Sequence, residues 1–361
     1  MTLSVSGDSI TFPDLSTLQT APSGFGFKNR IINGDMRIDQ RNSGAIVTGN
    51  GYPVDRFQTG SSGAQTWTMQ RSTTVPTGFT NSVAVTIGTG SSPGASDRLT
   101  LSQSIEGYNS ADFSFGSTSA QNVTMSFWVR SSLTGAFGVA FRNSATNRSY
   151  VASYSVLVAN TWEYKSVTIP GDTSGTWAVD NTAGIYVNFD LGCGTTFSTA
   201  AGSWQAGNFF GLTGGVKLNA TSGATFFLTG VQLEKGPTAT AFDYLDYGCS
   251  LIQCQRYYQK YSADGGTNGL GLAVMWTTTA AYTSITFHTK MRTNPTGSSS
   301  TSNALTCLVV GTAKQATTVV FDARTTDTAE IYIITSGLTV GQAGFMRFTA
   351  STDWVAFASE L

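Results

Sequence analysis

The stretch 122–132, NVTMSFWVRSS, alternates with a period of two: Val123, Met125, Phe127 and Val129 on one side, Thr124, Ser126, Trp128 and Arg130 on the other. That is the period of a strand with one buried face, and it is incompatible with a helix. The pattern returns in GAFGVAFRNS (Phe137, Val139, Phe141), in GIYVNFDLG (Ile185, Val187, Phe189, Leu191) and in ATFFLTGVQLEKG (Phe227, Val231, Leu233). Turn clusters such as IPGDTSG and GSSPGASD separate these runs. Many short strands with Gly-rich turns and almost no helical period predict an all-β chain built as a sandwich or barrel.

At 361 residues the chain is longer than one domain of ~100 to 200 residues, so more than one core is expected. Residues 1–28 read as an extended arm, in which Ile10 and Phe12 alternate with Ser9 and Thr11. Residues 29–247 have the strand density of one large β-sandwich, 248–262 of a connecting helix, and 263–361 of a second, smaller all-β domain. Strands of that domain are expected near LGLAVMW, SITFHTKM, ALTCLVV, TVVFDA, AEIYIIT and MRFTA.

The helix signal lies in TGVQLEKGPTATAFDYLDYGCSLIQCQRYYQKY, residues 229–261. Ser250 followed by Gln253 reads as a capping box, which puts Cys249 and Cys254 at the two positions of a hydrophobic staple. Leu251, Cys254, Tyr258 and Tyr261 then form an apolar stripe, predicting a helix from about 251 that stops before Asp264. The segment reads as a joint between two domains and not as a metal site. Two thiols five apart, in a chain whose one histidine is His288, do not supply the four N or S ligands zinc prefers.

Twenty basic and 21 acidic residues give a net charge of −1 with no basic run, which argues against nucleic acid or anionic lipid as a partner. No apolar run approaches the ~20 residues of a membrane-spanning helix, and the N-terminus has neither the basic nor the apolar region of a signal peptide. Four scattered cysteines are too few for a disulfide framework, so reduced thiols are expected. Ser-His-Asp or Cys-His catalysis would have to pass through His288, which strand parity places with Thr286 away from Ile285 and Phe287, on a solvated or interfacial face. No catalytic residues are assigned, and the chain is not expected to be an enzyme. A glycan-cleaving pair of carboxylates from distant strands would leave no local pattern. The same holds for a structural calcium ion, for which Asp35, Asp39, Asp55 and Glu234 are the candidates; no metal site and no cofactor are assigned.

Three stretches carry a resemblance. SGDSITFPDLSTLQTA resembles the short arm at the start of bacteriophage tail-fibre and other virion fibre proteins, although Leu15 stands at the usual glycine place and Leu18 enlarges the turn. NRIINGDMRIDQRN followed by YPVDRF resembles the opening of the β-sandwich module of phage tail and fibre proteins, especially those of cyanobacterial and other marine phages. GVQLEKGPTATAFDY with CQRYYQKY resembles its end. The module is similar to carbohydrate-binding jelly rolls, whose central strand often reads S-F-W-V-(R/K), here Ser126 to Arg130. The resemblance implies a jelly-roll-like sandwich in a virion structural protein, made in the bacterial cytoplasm, usually homotrimeric, with an arm that docks on the particle. Its role would be host-surface glycan binding by a tail fibre, or a purely structural role as a connector or capsid-decorating fibre, or, less in keeping, degradation of glycan by a tail spike.

Apolar side chains on both faces of several strands, as in ATFFLTG and TVVFDA, exceed what one core absorbs and point to self-association, through the helix (Leu251, Tyr258, Tyr261) and the C-terminal domain. An isolated strand as short as the arm's orders by adding to a partner, which makes Ile10 and Phe12 the candidate docking residues. On the faces opposite the buried ones, parity places Trp128, Arg130, Arg142, Tyr186, Asn188 and Asp190. A ring to stack on a sugar, planar donors and an acid are the parts of a glycan cleft. The alternative is that Trp128 is only the second face of a well-packed sandwich.

Overall fold

The structure is a computed structural model that describes residues 4–6, 9–11, 17–18 and 27–361. The first three segments are short antiparallel strands, Ser4–Ser6, Ser9–Thr11 and Thr17–Leu18, with Ile10 opposite Val5 and Leu18. Phe12, the other candidate docking residue, lies outside the described residues.

Two antiparallel sheets form a jelly-roll-like sandwich. One has six strands in the order Trp204–Ala206, Arg148–Val156, Gly135–Asn143, Ala183–Cys193, Arg98–Glu106, Gln58–Ser62. The other has five, in the order Glu163–Ile169, Val123–Ser131, Thr225–Lys235, Ser82–Ile87, Trp67–Ser72. The alternation in the sequence becomes the core: Val123, Met125, Phe127 and Val129 from one sheet meet Val139, Phe141, Val187 and Phe189 from the other. Phe127 sits edge-on to Tyr154 at 4.9 Å and to Phe189 at 5.1 Å. Burying each such side chain stabilises the fold by about 1.5–3 kcal/mol.

One strand departs from the expected parity. On Thr225–Lys235 the large apolar side chains of the core are Phe226, Leu228, Val231 and Leu233, and Phe227 faces outward. A bulge between Thr229 and Gln232, with Gly230 at φ +61, inserts a residue and reverses the faces.

The motifs that carry the fibre resemblance close the sandwich end to end. Asn29 Oδ1 accepts from the backbone of Ile31 and Leu233, and its Nδ2 donates to the Val231 carbonyl. Asn33 Nδ2 donates to the carbonyls of Ile38 and Asp55, which ties the 30–38 turn to the YPVDRF segment. Gly34 lies so close to the Val231 carbonyl that a Cβ would sit 2.1 Å from its oxygen, so no other residue fits there.

The helix differs from its expected bounds. It runs Tyr247–Gln255 and is capped by Asp246, whose carboxylate accepts from Gly248 N at 2.8 Å and Cys249 N at 3.3 Å. An acceptor four residues ahead of Ser250 starts the helix earlier, which places Ser250 inside it. Cys249 is exposed and Cys254 buried, so they form no staple; all four cysteines are free thiols. Tyr258 and Tyr261 are not helical: they belong to the strand Tyr258–Ser262, which pairs with Trp354–Ala358. The three side chains expected on an oligomer-forming helix are engaged within the chain. Leu251 packs on Ile32, Ile38, Cys254 and Tyr257, the Tyr258 ring lies 3.7 Å from the Arg41 guanidinium, and Tyr261 stacks on His288 at 5.2 Å. His288 is exposed, on the face parity assigns it.

The C-terminal unit packs a three-stranded sheet (Tyr258–Ser262, Trp354–Ala358, Thr296–Ser299) against a seven-stranded one. The seven run in the order Thr312–Gln315, Leu305–Val309, Ala343–Phe348, Gly269–Met275, Ala280–Thr286, Thr328–Ile334, Thr318–Arg324. Its own core includes Met275, Phe287, Leu305, Ile331, Ile333, Phe348 and Phe357.

Charge joins this unit to the sandwich. Glu106, 1% exposed, accepts from Arg256 Nε at 2.9 Å and Nη2 at 2.5 Å and from Tyr257 Oη at 2.7 Å. Glu360 pairs with Arg56 and, at 2.8 Å, with Arg41, while Arg292 donates to the carbonyls of Ser359 and Glu360. Close by, burial pushes the Asp55 carboxyl up from 3.8 to about 6, against the pull of Arg41 and the Gln40 hydrogen bonds. A raised folded-state pKa means that the group's stabilisation is fully present below about 3.8 and is lost as pH rises through about 6. Asp55→Asn is therefore expected to be less unfavourable at pH 7.5 than at pH 4, since it removes a charge that is costly to bury while giving up one acceptor facing Gln40 and the Arg41 pairing. Urea unfolding at the two pH values checks it; an equal effect at both would refute the linkage.

Candidate glycan groove

Parity sets the six predicted glycan residues opposite the sandwich core, but a sandwich has two outer faces and one of the six, Asp190, is covered. Trp128 and Arg130 stand on the five-stranded sheet, while Arg142, Tyr186 and Asn188 stand on the six-stranded one. A full sandwich, ~10 Å between sheets plus side chains, separates the two groups, so they form no common cleft.

On its own face Trp128 is half-buried beside Tyr164, with ring centroids 5.6 Å apart, in a shallow aromatic depression shared with Phe79, Phe242 and Tyr244. The 239–244 segment folds over this face and supplies its rings with neighbours: Phe242 meets Phe79 at 5.2 Å and Tyr244 at 4.8 Å. Arg130 donates to the Asn160 carbonyl at 2.8 Å and covers the Phe227 ring.

The other three residues lie in a groove of about 350 Å³. Its floor is a set of cross-strand rows. Arg142, Tyr186 and Ser104 form one, and Asn188, Ser102 and Gln58 the next, followed by Thr100 with Gly60 and then Arg98. One wall is the loop 194–215, which covers the remaining half of the sheet face. Phe197, Phe209, Phe210 and Leu212 of this loop pack on Ala140, Val151 and Cys193. The loop sits this low because Gly138 and Gly211 meet side chains at contact distance: a Cβ on Gly138 would be 3.0 Å from Leu212 Cβ, and one on Gly211 2.6 Å from Cys193 Cβ.

Asp190 is excluded from the groove. Although its parity is outward, the loop covers it, and it accepts from the backbone of Gly192 and Leu212 at 2.9 Å and faces Lys217 at 3.7 Å. It fastens the loop to the sheet, and burial raises its carboxyl above the ordinary range.

Arg142 is the organising side chain. Its Nε donates to Asn188 Oδ1 at 3.1 Å, its Nη1 donates to Asn208, and its guanidinium lies 5.3 Å from the Tyr186 ring and 4.8 Å from the Phe210 ring. Burial lowers it to about 10, and the Arg98 charge adds to that. Arg98 lies 5.7 Å from the same Phe210 ring. The groove is thus lined by hydroxyls, amides, two guanidiniums and two rings, and by no Asp or Glu side chain.

Arg98, Thr100 and Ser102 were within reach of the parity argument, since RLTLSQS alternates as cleanly as the strands read above. Asn208 and Phe210 come from an aperiodic loop and carry no such signal. The four acids considered for calcium serve separate local roles. Asp35 pairs with Arg37, Asp39 accepts from Asn42 and Gly44, Asp55 accepts from Gln40, and Glu234 accepts from Gln232 and Thr240. Among the described residues no group of three or more His, Cys, Asp or Glu side chains is placed to hold a metal ion.

No protein-family model matches the chain, and no curated protein does. Among solved structures it is similar to the enzymatically active domain of tailspike protein 4 of bacteriophage CBA120 (12% identity, TM-score 0.31, 60% of this chain and 24% of that one), so it spans about a quarter of that chain. It is similar to the family 11 carbohydrate-binding module of Clostridium thermocellum in complex with a β-1,3-1,4-mixed-linked tetrasaccharide (15%, TM-score 0.28, 55% and 100%). A putative sugar binding protein from Bacteroides thetaiotaomicron is a third (12%, TM-score 0.30, 58% and 100%). Each of these is a likeness at low score and nothing more.

Proposed function

We propose that this chain is a fibre component of a bacteriophage particle that holds host-surface glycan in the groove of the six-stranded sheet, binding it without cleaving it. The observation that carries the glycan reading is the groove itself. Tyr186 offers a ring face, and Asn188, Ser102, Ser104 and Gln58 offer amides and hydroxyls from a rigid sheet, as a saccharide requires. Hydrolysis of a glycan uses a pair of Asp or Glu side chains, and the side chains that line this groove are hydroxyls, amides, guanidiniums and rings. The arm and module resemblances support the virion setting, with the arm docking on the particle.

Self-association belongs to the same proposal, as a homotrimer. The outer face of the seven-stranded sheet carries Leu272, Val274, Trp276 and Phe345, respectively 78, 51, 72 and 43% exposed. They form cross-strand rows, Leu272 beside Phe345, and Val274 beside Tyr282, which stacks on Tyr332 at 4.5 Å. A continuous apolar face on a regular sheet is the kind of surface that a second copy covers.

A single shallow site of this kind binds with Kd near ~1 mM, and three per fibre gain ~10² to 10⁴ in avidity. On a glycan array, Tyr186→Ala with Asn188→Ala is expected to lose about tenfold or more of the apparent affinity, from one stacking contact and one hydrogen bond per site. Trp128→Ala is expected to leave it unchanged. Retention that survives the double substitution in a folded protein would remove the groove from consideration. Retention of no glycan at all would favour the connector or capsid-decorating role.

A further inference from the structure

Resting on that reading of the groove, we infer that the saccharide it takes is acidic, with a carboxylate or sulfate seated between Arg98 and Arg142 against Phe210. Several guanidiniums of this chain meet carboxylates, Arg30 with Asp112, Arg56 with Glu360, Arg148 with Asp172 and Arg256 with Glu106, and others, Arg71, Arg130 and Arg292, donate to backbone carbonyls. The two groove arginines do neither. Arg142 donates only to the neutral amide oxygens of Asn188 and Asn208, and among the described residues the Arg98 side chain donates to no protein acceptor. Both guanidiniums lie near one phenyl ring, that of Phe210, 4.8 and 5.7 Å from its centroid.

Two like charges that share one ring, in a groove lined by no Asp or Glu side chain, repel, and the cation–π contacts of about 0.5–2 kcal/mol each offset this only in part. Burial lowers the pKa of Arg142, and the Arg98 charge lowers it further. An oxyanion placed between them would accept planar, charge-assisted hydrogen bonds from both forks. Beside that point the outward hydroxyls of Thr100, Ser102 and Ser104, at every second residue of one strand, continue the groove with neutral donors and acceptors suited to the rest of a sugar chain. A nucleic acid would present a phosphate at every step, whereas this groove offers two guanidiniums among neutral hydroxyls and amides, in a chain of net charge −1.

The test is an array of uronate-bearing, sulfated and neutral oligosaccharides probed with the full-length protein, followed by titration calorimetry of the retained species at low and high salt. Acidic glycans are expected to be retained at least about tenfold more tightly than neutral ones of the same length, in a salt-sensitive manner. Arg98→Gln is expected to abolish that margin, and Arg98→Lys to restore part of it. Among the described residues the Arg98 side chain donates to no protein acceptor and touches the loop only through the Phe197 and Phe210 rings, so near-ultraviolet circular dichroism of Arg98→Gln checks that the loop keeps its packing when binding is lost. Preference among the acidic spots distinguishes a carboxylate from a sulfate ligand. Equal retention of neutral glycans that Arg98→Gln does not alter overturns the acidic ligand and leaves the glycan groove standing. Retention of no glycan overturns both. Displacement of the glycan by single-stranded DNA at equal affinity overturns the saccharide ligand in favour of a polyphosphate.

Discussion

Glu106→Ala is expected to destabilise the protein by about 1–3 kcal/mol, because it leaves the buried Tyr257 hydroxyl without its acceptor and the partly exposed Arg256 guanidinium without its carboxylate. Removing one partner of a buried pair costs more than the pair contributes, since the remaining charge keeps its desolvation penalty. Burial also pushes the Tyr257 hydroxyl well above its usual range, so it stays a neutral donor at any working pH. Replacing Glu106 and Arg256 together by methionine should therefore cost much less than the single change. Urea unfolding of the single and double variants checks this; two equal losses would mean that the joint is held by packing and not by charge.

The second large effect concerns assembly. Leu272→Asp with Phe345→Asp puts like charges side by side on the exposed face of the seven-stranded sheet, where the two residues are cross-strand neighbours. If that face is covered in a homotrimer, each chain forgoes about 3–6 kcal/mol of apolar burial, at about 1.5–3 kcal/mol per side chain. Sedimentation should then show monomers at micromolar concentration. Both residues are already exposed within the chain, so the urea midpoint of the monomer should move little. A wild-type protein that is itself monomeric, or a variant that stays trimeric, would exclude this face.

The all-β class was legible because a period of two survives wherever one face of a strand is buried. The same regularity places Arg142, Tyr186 and Asn188 on an outer face. It says nothing of which sheet a strand joins, and so Trp128 and Arg130 seemed to share a cleft that the sandwich divides. Parity failed at Phe227 because one extra residue in a bulge reverses the faces of everything beyond it. It failed at Asp190 because the loop that follows its strand turns back and folds over the position. The helix was legible as an element but not in its bounds. Asp246 is a better cap than Ser250, and residues 258–262 take the extended form because Trp354–Ala358, almost a hundred residues on, pairs with them. Half of the groove, Phe210 and Asn208 above all, comes from a loop whose course no local pattern encodes.

The pairing of Tyr258–Ser262 with Trp354–Ala358 has one more result. The chain enters the C-terminal unit and leaves it along adjacent antiparallel strands, and the last residues return to Arg41 and Arg56 of the sandwich. Both ends of everything between Ser262 and Trp354 therefore lie side by side on a fixed base, as the two leads of a plug do. A segment of different length or shape could be exchanged there without lengthening, twisting or reversing the path of the sandwich, so the distal surface of the molecule is free to diverge while its mounting stays the same.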